Sequence, residues 1–273
     1  MSERRITLCA DDYGISPAVS AAIRDLIARG RINATSVMTV APGFNQSEAQ
    51  TLLAAAQRGA AIGLHVTLTA PFRPLSENFA PLRDGAFPAL STMVLRAQLR
   101  LLRPDLLAVE ISRQFEMFKR AFGRSPDFVD GHQHVHIFPQ IRDAFLSVAR
   151  DAAPEAWVRQ CGLPESRTGF TDLKAVLLGW HSRHFRQLAE TYGVRTNPAF
   201  AGTYRYRRDA DFTALFPTFL DGMPNGGLIM CHPGKVDAEL ERLDPLTTLR
   251  EREYDYFKSD AFPRLLAESG VTL

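Results

Sequence analysis

ITLCADDYGIS, residues Ile6–Ser16, is the first stretch with a regular pattern. Ile6–Ala10 is an apolar run of strand length. It ends in two adjacent carboxylates before the chain turns at Gly14. Asp is a poor strand former, and neighbouring like charges repel. Asp11 and Asp12 therefore need a reason to stand at the end of a buried strand. A helix cap is one reason, but Ser16 already fits that place, with Pro17 at the first helical position and Gly30 as the stop. The reading is strand, polar turn, then a helix over Pro17–Ala28, and this unit decides the fold class.

The same unit recurs along the chain. Ala34–Val40 reads as a second strand, followed by a helix over Glu48–Arg58 that stops near Gly59. Ala61–Leu68 is the third strand and Asp127–His132 the fourth, with helical periodicity over Leu107–Phe122 and Ile141–Ala149. Ala156–Arg159 reads as a fifth strand, Leu173–Tyr192 as mostly helix, and Gly227–Cys231 as a late strand. Helical patterns follow around Leu246–Phe257 and Ala261–Glu268. Leu75 to about Pro88 is rich in proline and lacks periodicity. It is expected to form an irregular insertion or lid within about residues 70–92. Gly202–Asp211 is an aromatic, basic loop. Alternating strands and helices imply a parallel sheet with right-handed crossovers. Seven or so units with both faces covered point to a closed (β/α) barrel over residues 1–273, a single α/β domain, with a doubly wound open sheet as the alternative. Either way, ligands gather at the C-terminal ends of the strands.

The bulk numbers are those of a globular protein: 273 residues, 45% hydrophobic and 23% charged. A net charge of +2 gives no electrostatic case for nucleic acid as the main partner. Cys9, Cys161 and Cys231 are odd in number and far apart, so buried free thiols in a reducing compartment are expected. The charged start MSERRITL does not read as a signal peptide, and no apolar run approaches the ~20 residues of a membrane span, so a cytoplasmic location is expected.

Five of the seven histidines stand at or near strand ends. His65 lies in AIGLHVTLT, and His132, His134 and His136 follow Asp130 in DFVDGHQHVHIFP. His232 ends GGLIMCHPG. A lone histidine at a strand end is more often a hydrogen-bonded structural residue. Several strands delivering Asp and His to one rim are harder to explain by packing, because each buried polar group would need its own partner. A divalent cation satisfies them together, and His with carboxylate is a catalytic ligand set that leaves positions open. If the fourth strand persists, its alternation points Asp130, His132, His134 and His136 to one side. Three histidines spaced by two do not easily reach one ion. One should bind it while the others orient neighbours or touch substrate, and spacing does not choose among them.

ADDYGIS, TSVM, GLHVTLT, DGHQHVHIFP and MCHPG, in that order, resemble the motifs of the YdjC-like carbohydrate deacetylases, a family that includes chitooligosaccharide deacetylases and deacetylases associated with hopanoid synthesis. The resemblance runs from Ile6 to the C-terminus. It implies a distorted (β/α) barrel, TIM-like or polysaccharide-deacetylase-like, and metal-dependent removal of acetyl from an N-acetylated sugar. It implies one divalent ion, Mg²⁺ or Zn²⁺, with Asp12, His65 and His132 as its ligands, Asp11 as catalytic base and His232 as general acid. A nitrogen-rich ligand set physically favours zinc or another transition ion over magnesium. Asp130 is expected to orient a histidine of its own strand. Arg159 is expected to hold Asp11 ionised, unless it forms only a surface ion pair. Tyr204, Tyr206 and Trp180 are candidates to stack on sugar, although a Tyr- and Arg-bearing loop is equally an ordinary surface or a homodimer contact. Two other readings compete: a barrel phosphoesterase with two or three metals, and a metal-containing sugar-binding protein without catalysis.

Overall fold

The computed structural model describes residues 3–164 and 173–273. The strands are β1 (Arg4–Arg5), β2 (Thr7–Tyr13), β3 (Ala34–Val37), β4 (Ala61–Val66), β5 (Phe128–Gly131), β6 (Trp157–Val158), β7 (Phe200–Ala201), β8 (Leu228–Cys231) and β9 (Val271–Thr272). The helices are α1 (Pro17–Ala28), α2 (Gln46–Ala55), α3 (Leu90–Gln98), α4 (Pro104–Phe122), α5 (Ile141–Ala152), α6 (Leu173–Thr191), α7 (Phe212–Leu220), α8 (Ala238–Leu243), α9 (Thr248–Lys258) and α10 (Ala261–Glu268). Seven strands form one parallel sheet in the order β6-β5-β4-β3-β2-β8-β7, and β1 pairs with β9 apart from it.

The sheet curls until its two ends are joined through one stretch of chain. On one side Thr196 bridges to Val158, whose N–H donates to the Arg195 carbonyl at 2.8 Å. On the other side Phe200 and Ala201 pair with Leu228 and Ile229. The result is a distorted barrel in which the closing strand is only two residues long. The central strands are buried at nearly every position, as a parallel sheet covered by helices requires.

Ser16 caps α1 as its sequence implies, its hydroxyl accepting from the Val19 N–H at 3.4 Å. The chain leaving β4 is tied down by α4. Gln114 both donates to and accepts from the Thr67 backbone. Fully buried Glu110, one turn earlier, accepts from the Leu75 and Ser76 N–H groups and from the Ser76 hydroxyl. The insertion thus starts from a fixed point. Phe72, Phe79 and Phe87 bury in the core, and α3, which the sequence reading does not assign, follows the insertion.

Candidate functional site

Two local departures from strand geometry build the site. The first is a bulge in β2. Ala10 pairs with Thr35 and Tyr13 with Val37, so β2 advances three residues while β3 advances two. Asp12 takes the left-handed conformation, φ 66°, a region Asp tolerates better than most residues. The bulge cancels strict alternation and lets Asp11 and Asp12 both serve the rim.

The second departure lies beyond β5, and it corrects the expected alternation of Asp130, His132, His134 and His136. The strand ends at Gly131. His132–Ile137 form a short 3₁₀ stretch in which Gln133 and His134 adopt φ 54° and 57°. The three histidines consequently diverge. His132 turns to Asp12, with 3.0 Å between its Nδ1 and Asp12 Oδ1. His134 packs its ring edge on Phe200 and sets its Nδ1 3.6 Å from the Cys161 thiol. His136 folds back beneath Gly131, donating from Nε2 to the Arg159 carbonyl at 2.8 Å. A Cβ on residue 131 would meet the His136 ring at 2.7 Å, so this seat requires glycine. Burial holds His136 down to about 4, a neutral structural imidazole among Phe145 and Phe185.

Asp12, His65 and His132 each bring one donor atom within 4.8 Å of the others. Asp12 Oδ1 faces both rings, 3.2 Å from His65 Nε2 and 3.0 Å from His132 Nδ1, while its Oδ2 accepts from Arg250 at 2.6 Å. His65 donates from Nδ1 to Asp130 at 2.6 Å, which directs Nε2 at the centre of the group. This corrects the expectation that Asp130 orients a histidine of its own strand, because the β4–β5 register sets His65 of the neighbouring strand beside it. Burial opposes charge on His65, but Asp130, Asp12 and Asp11 outweigh it and push its pKa up to about 10. Burial likewise opposes the charge of Asp12. Arg250 and His132 overcome it and hold that carboxyl well below the usual range.

Beside this group lies a second one. Arg159, fully buried just past β6, makes a two-pronged bond to Asp11, each prong 2.6 Å, and reaches Asp130 at 2.5 Å and the Cys9 thiol at 3.2 Å. Burial works against the Asp11 charge, and Arg159 overcomes it, so Asp11 stays ionised far into acid. Cys9, Asp11 and Asp130 also form a close donor group, but the Arg159 guanidinium already supplies its positive charge. The alternative of a surface ion pair for Arg159 is thereby corrected.

His232, next after β8, is half-buried. Its Nδ1 has no partner among the described residues, and Tyr206 lies edge-on to its ring at 5.7 Å. Burial and Arg250 lower its pKa, with Asp12 and Asp11 opposing them. Its backbone N–H donates to buried Glu253 at 2.5 Å, and the Tyr204 hydroxyl donates to the other oxygen of the same carboxyl at 2.7 Å. Tyr204 is therefore tied to the protein through its polar end, while Tyr206 is the more open of the two rings. Trp180 stands on α6, exposed, its ring against His184 at 4.3 Å.

Arg250 and Glu253 are the residues that sequence reasoning missed. They lie in LREREYDYF, which reads as a solvated charged face. The signal was present, because Arg250, Glu253 and Phe257 fall on one helical stripe with spacings of three and four. Charges on the stripe that carries a buried Phe are charges with partners inside.

Parallel strands closing into a barrel, with Asp and His at their C-terminal ends, define a (β/α) barrel whose polar site lies at the usual functional face. The profile of the YdjC-like protein family matches residues 5–268, and this chain belongs to that family. It is 27% identical to a chitooligosaccharide deacetylase of Escherichia fergusonii over 99% of this chain and 97% of that protein. Among solved structures it resembles an Enterococcus faecalis V583 protein provisionally assigned to cellobiose-phosphate cleavage. The TM-score is 0.77 at 22% identity, covering 100% of this chain and 97% of the other. A Streptococcus mutans CE4 esterase aligns with TM-score 0.51 at 12% identity, covering 99% and 84%. These two structural likenesses bear on the fold.

Proposed function

We propose that this chain is a metal-dependent carbohydrate deacetylase that releases acetate from an N-acetylated sugar of the chitooligosaccharide type. The observation that carries the reading is the convergence of Asp12, His65 and His132 beside a carboxylate, Asp11, held ionised by a buried arginine. The 27% identity to a chitooligosaccharide deacetylase across 99% of the chain supports the substrate class.

The residues fit a divalent ion. Buried Asp11, Asp12 and Asp130 face two guanidinium groups, Arg159 and Arg250, and Arg250 is shared with Asp244, so carboxylates outnumber the fixed cations here. Without an ion, a proton on His65 adds positive charge at the same place. Asp12, His65 and His132 would hold the ion, with a mixed nitrogen and oxygen set suited to zinc or a related transition ion. When bound, such an ion supplies Lewis acidity at the acetyl carbonyl. Asp11 orients the attacking water and accepts its proton. Arg159 keeps Asp11 in the charged form that can accept a proton, while lowering its basicity. His232, neutral at rest by its burial, takes up a proton and delivers it to the leaving sugar nitrogen. Asp130 fixes the His65 tautomer. His134 and Tyr206 border the same rim and are assigned to the substrate side.

The test is acetate release across a panel of N-acetylated sugars by protein of measured metal content. Turnover should follow metal content and stop with a chelator. Asp11→Asn should keep the metal and lose about 10²–10⁴-fold in rate. Phosphatase turnover with no acetate release would reject the reading.

A further inference from the structure

The chain between α3 and α4 leaves an uncommon surface. Leu95, Leu99 and Leu101 are 59%, 60% and 59% exposed, and Trp180 on α6 is 48% exposed. Isolated exposed leucines need no explanation, but a contiguous group does. Contiguity follows from the local geometry. Leu95 and Leu99 are one helical turn apart. Arg100 takes φ 55°, and the Leu101 N–H donates back to the Arg96 carbonyl at 2.9 Å, a helix-ending turn that brings the residue after the turn against the last helical turn. Gln98 bonds His181 at 2.6 Å, and the His181 ring lies 4.7 Å from that of Trp180, which seats the indole at the edge of the leucines.

The charge around this patch is predominantly basic. Arg96, Arg100 and Arg103 alternate with the leucines in LRAQLRLLR, and Arg183 follows Trp180 by one helical turn. Among the described residues, Arg96, Arg100 and Arg183 have no carboxylate partner. The only acid in the segment from residue 95 to 105, Asp105, is bonded to Arg103. The near-neutral total of the chain conceals this local excess.

We propose that this face docks on an anionic lipid bilayer, the leucines and Trp180 entering the headgroup boundary while the arginines meet lipid phosphates. Exposed Leu with an interfacial Trp and a basic rim is the chemistry of a surface-bound, not spanning, protein. Among the described residues no helix is long and apolar enough to cross a membrane. Self-association through the patch is disfavoured by the same charges. A two-fold axis here would set arginines of one copy against those of the other, with little acid to answer them. The face adjoins the catalytic rim. Leu102, next after Leu101, exchanges two hydrogen bonds with the Gln140 side chain just past the His132–Ile137 stretch, and Phe72 of the insertion lies edge-on to His132 at 5.7 Å.

Vesicle flotation with the full chain tests the proposal independently of any deacetylase activity. The protein should float with vesicles of phosphatidylglycerol and phosphatidylcholine, float far less with phosphatidylcholine alone, and be released by salt. Leu99→Glu should abolish flotation with an unchanged melting temperature, since the side chain is exposed. Arg96→Ala and Arg100→Ala should each weaken partitioning about fivefold. Failure to bind the anionic vesicles would overturn the proposal, as would equal binding to both compositions. So would light scattering that finds a dimer which Leu99→Glu dissociates.

Discussion

Asp11 and Asp12 are neighbours in sequence with opposite commitments. Asp12 gives one oxygen to Arg250 and turns the other to two histidines, whereas both oxygens of Asp11 are held by Arg159. Each buried arginine spares its aspartate the cost of an unpaired buried charge. Removing Arg159 should therefore destabilise the fold as well as the site, by about 3–5 kcal/mol. Denaturant unfolding of Arg159→Met checks this. His65 carries a second residue-scale consequence. Its folded pKa of about 10 lies above the ordinary 6.5, so at neutral pH the metal-free ring holds two protons. An ion that takes Nε2 must displace one of them. Zinc binding should release about one proton at pH 7, and affinity should tighten as pH rises toward 10. Calorimetry in buffers of different ionisation enthalpy reads the release directly; no release would mean that His65 is either neutral before the ion binds or not a ligand. These side chains were legible because several strands end in Asp or His together. Their partners on α9 were not, because a charged helical face looks the same in sequence whether it meets water or a buried carboxylate.

At the scale of elements, α9 is the strut that holds the Asp12 and His232 sides of the site. Arg250 and Glu253 leave one stripe of it, the first toward Asp12 at the end of β2, the second toward His232 after β8 and Tyr204 in the loop after β7. Burial raises the Glu253 carboxyl to about 7, even with the Tyr204 and His232 bonds drawing it down. Glu253→Ala would leave the His232 N–H without its acceptor and cost about 1–3 kcal/mol in stability. It should also slow amide hydrolysis by up to about 10²-fold, since a displaced His232 no longer meets the leaving nitrogen. An activated acetyl ester, whose leaving group needs no proton, should be affected far less. Equal loss on both substrates would assign Glu253 a structural role alone. Elements were legible where periodicity was long: α1 matches its expected bounds, and α10 and the stop of α4 at Gly123 match as well. The short pieces were not. β7 is two residues recruited by pairing with β8, and α3 is a short helix between Pro88 and Pro104. The turn at Gln133 and His134 depends on backbone conformations that an HQHVH pattern does not announce.

For the whole molecule, the centre joins parts of the barrel that local contacts do not. Its three candidate ligands come from the end of β2, from β4 and from the stretch after β5, and Arg250 adds the last third of the chain. Among the described residues the barrel closes through a two-residue strand, the bridge at Thr196 and the Phe200 N–H bond to the Gly162 carbonyl, so its seam has few backbone bonds of its own. An ion that binds the folded chain and not the unfolded one stabilises the whole by mass action, about 2.7 kcal/mol at a hundredfold excess over its dissociation constant. For a chain of this length that is a rise of about 5 °C in melting temperature. The metal-free protein should also recover the same midpoint when zinc is returned after chelation. His132→Ala should melt at the same temperature with and without zinc, because it removes a ligand on the rim without unpairing Arg159 or Arg250. A zinc-dependent rise that persists in His132→Ala would place the stabilising ion elsewhere and remove the centre from the argument.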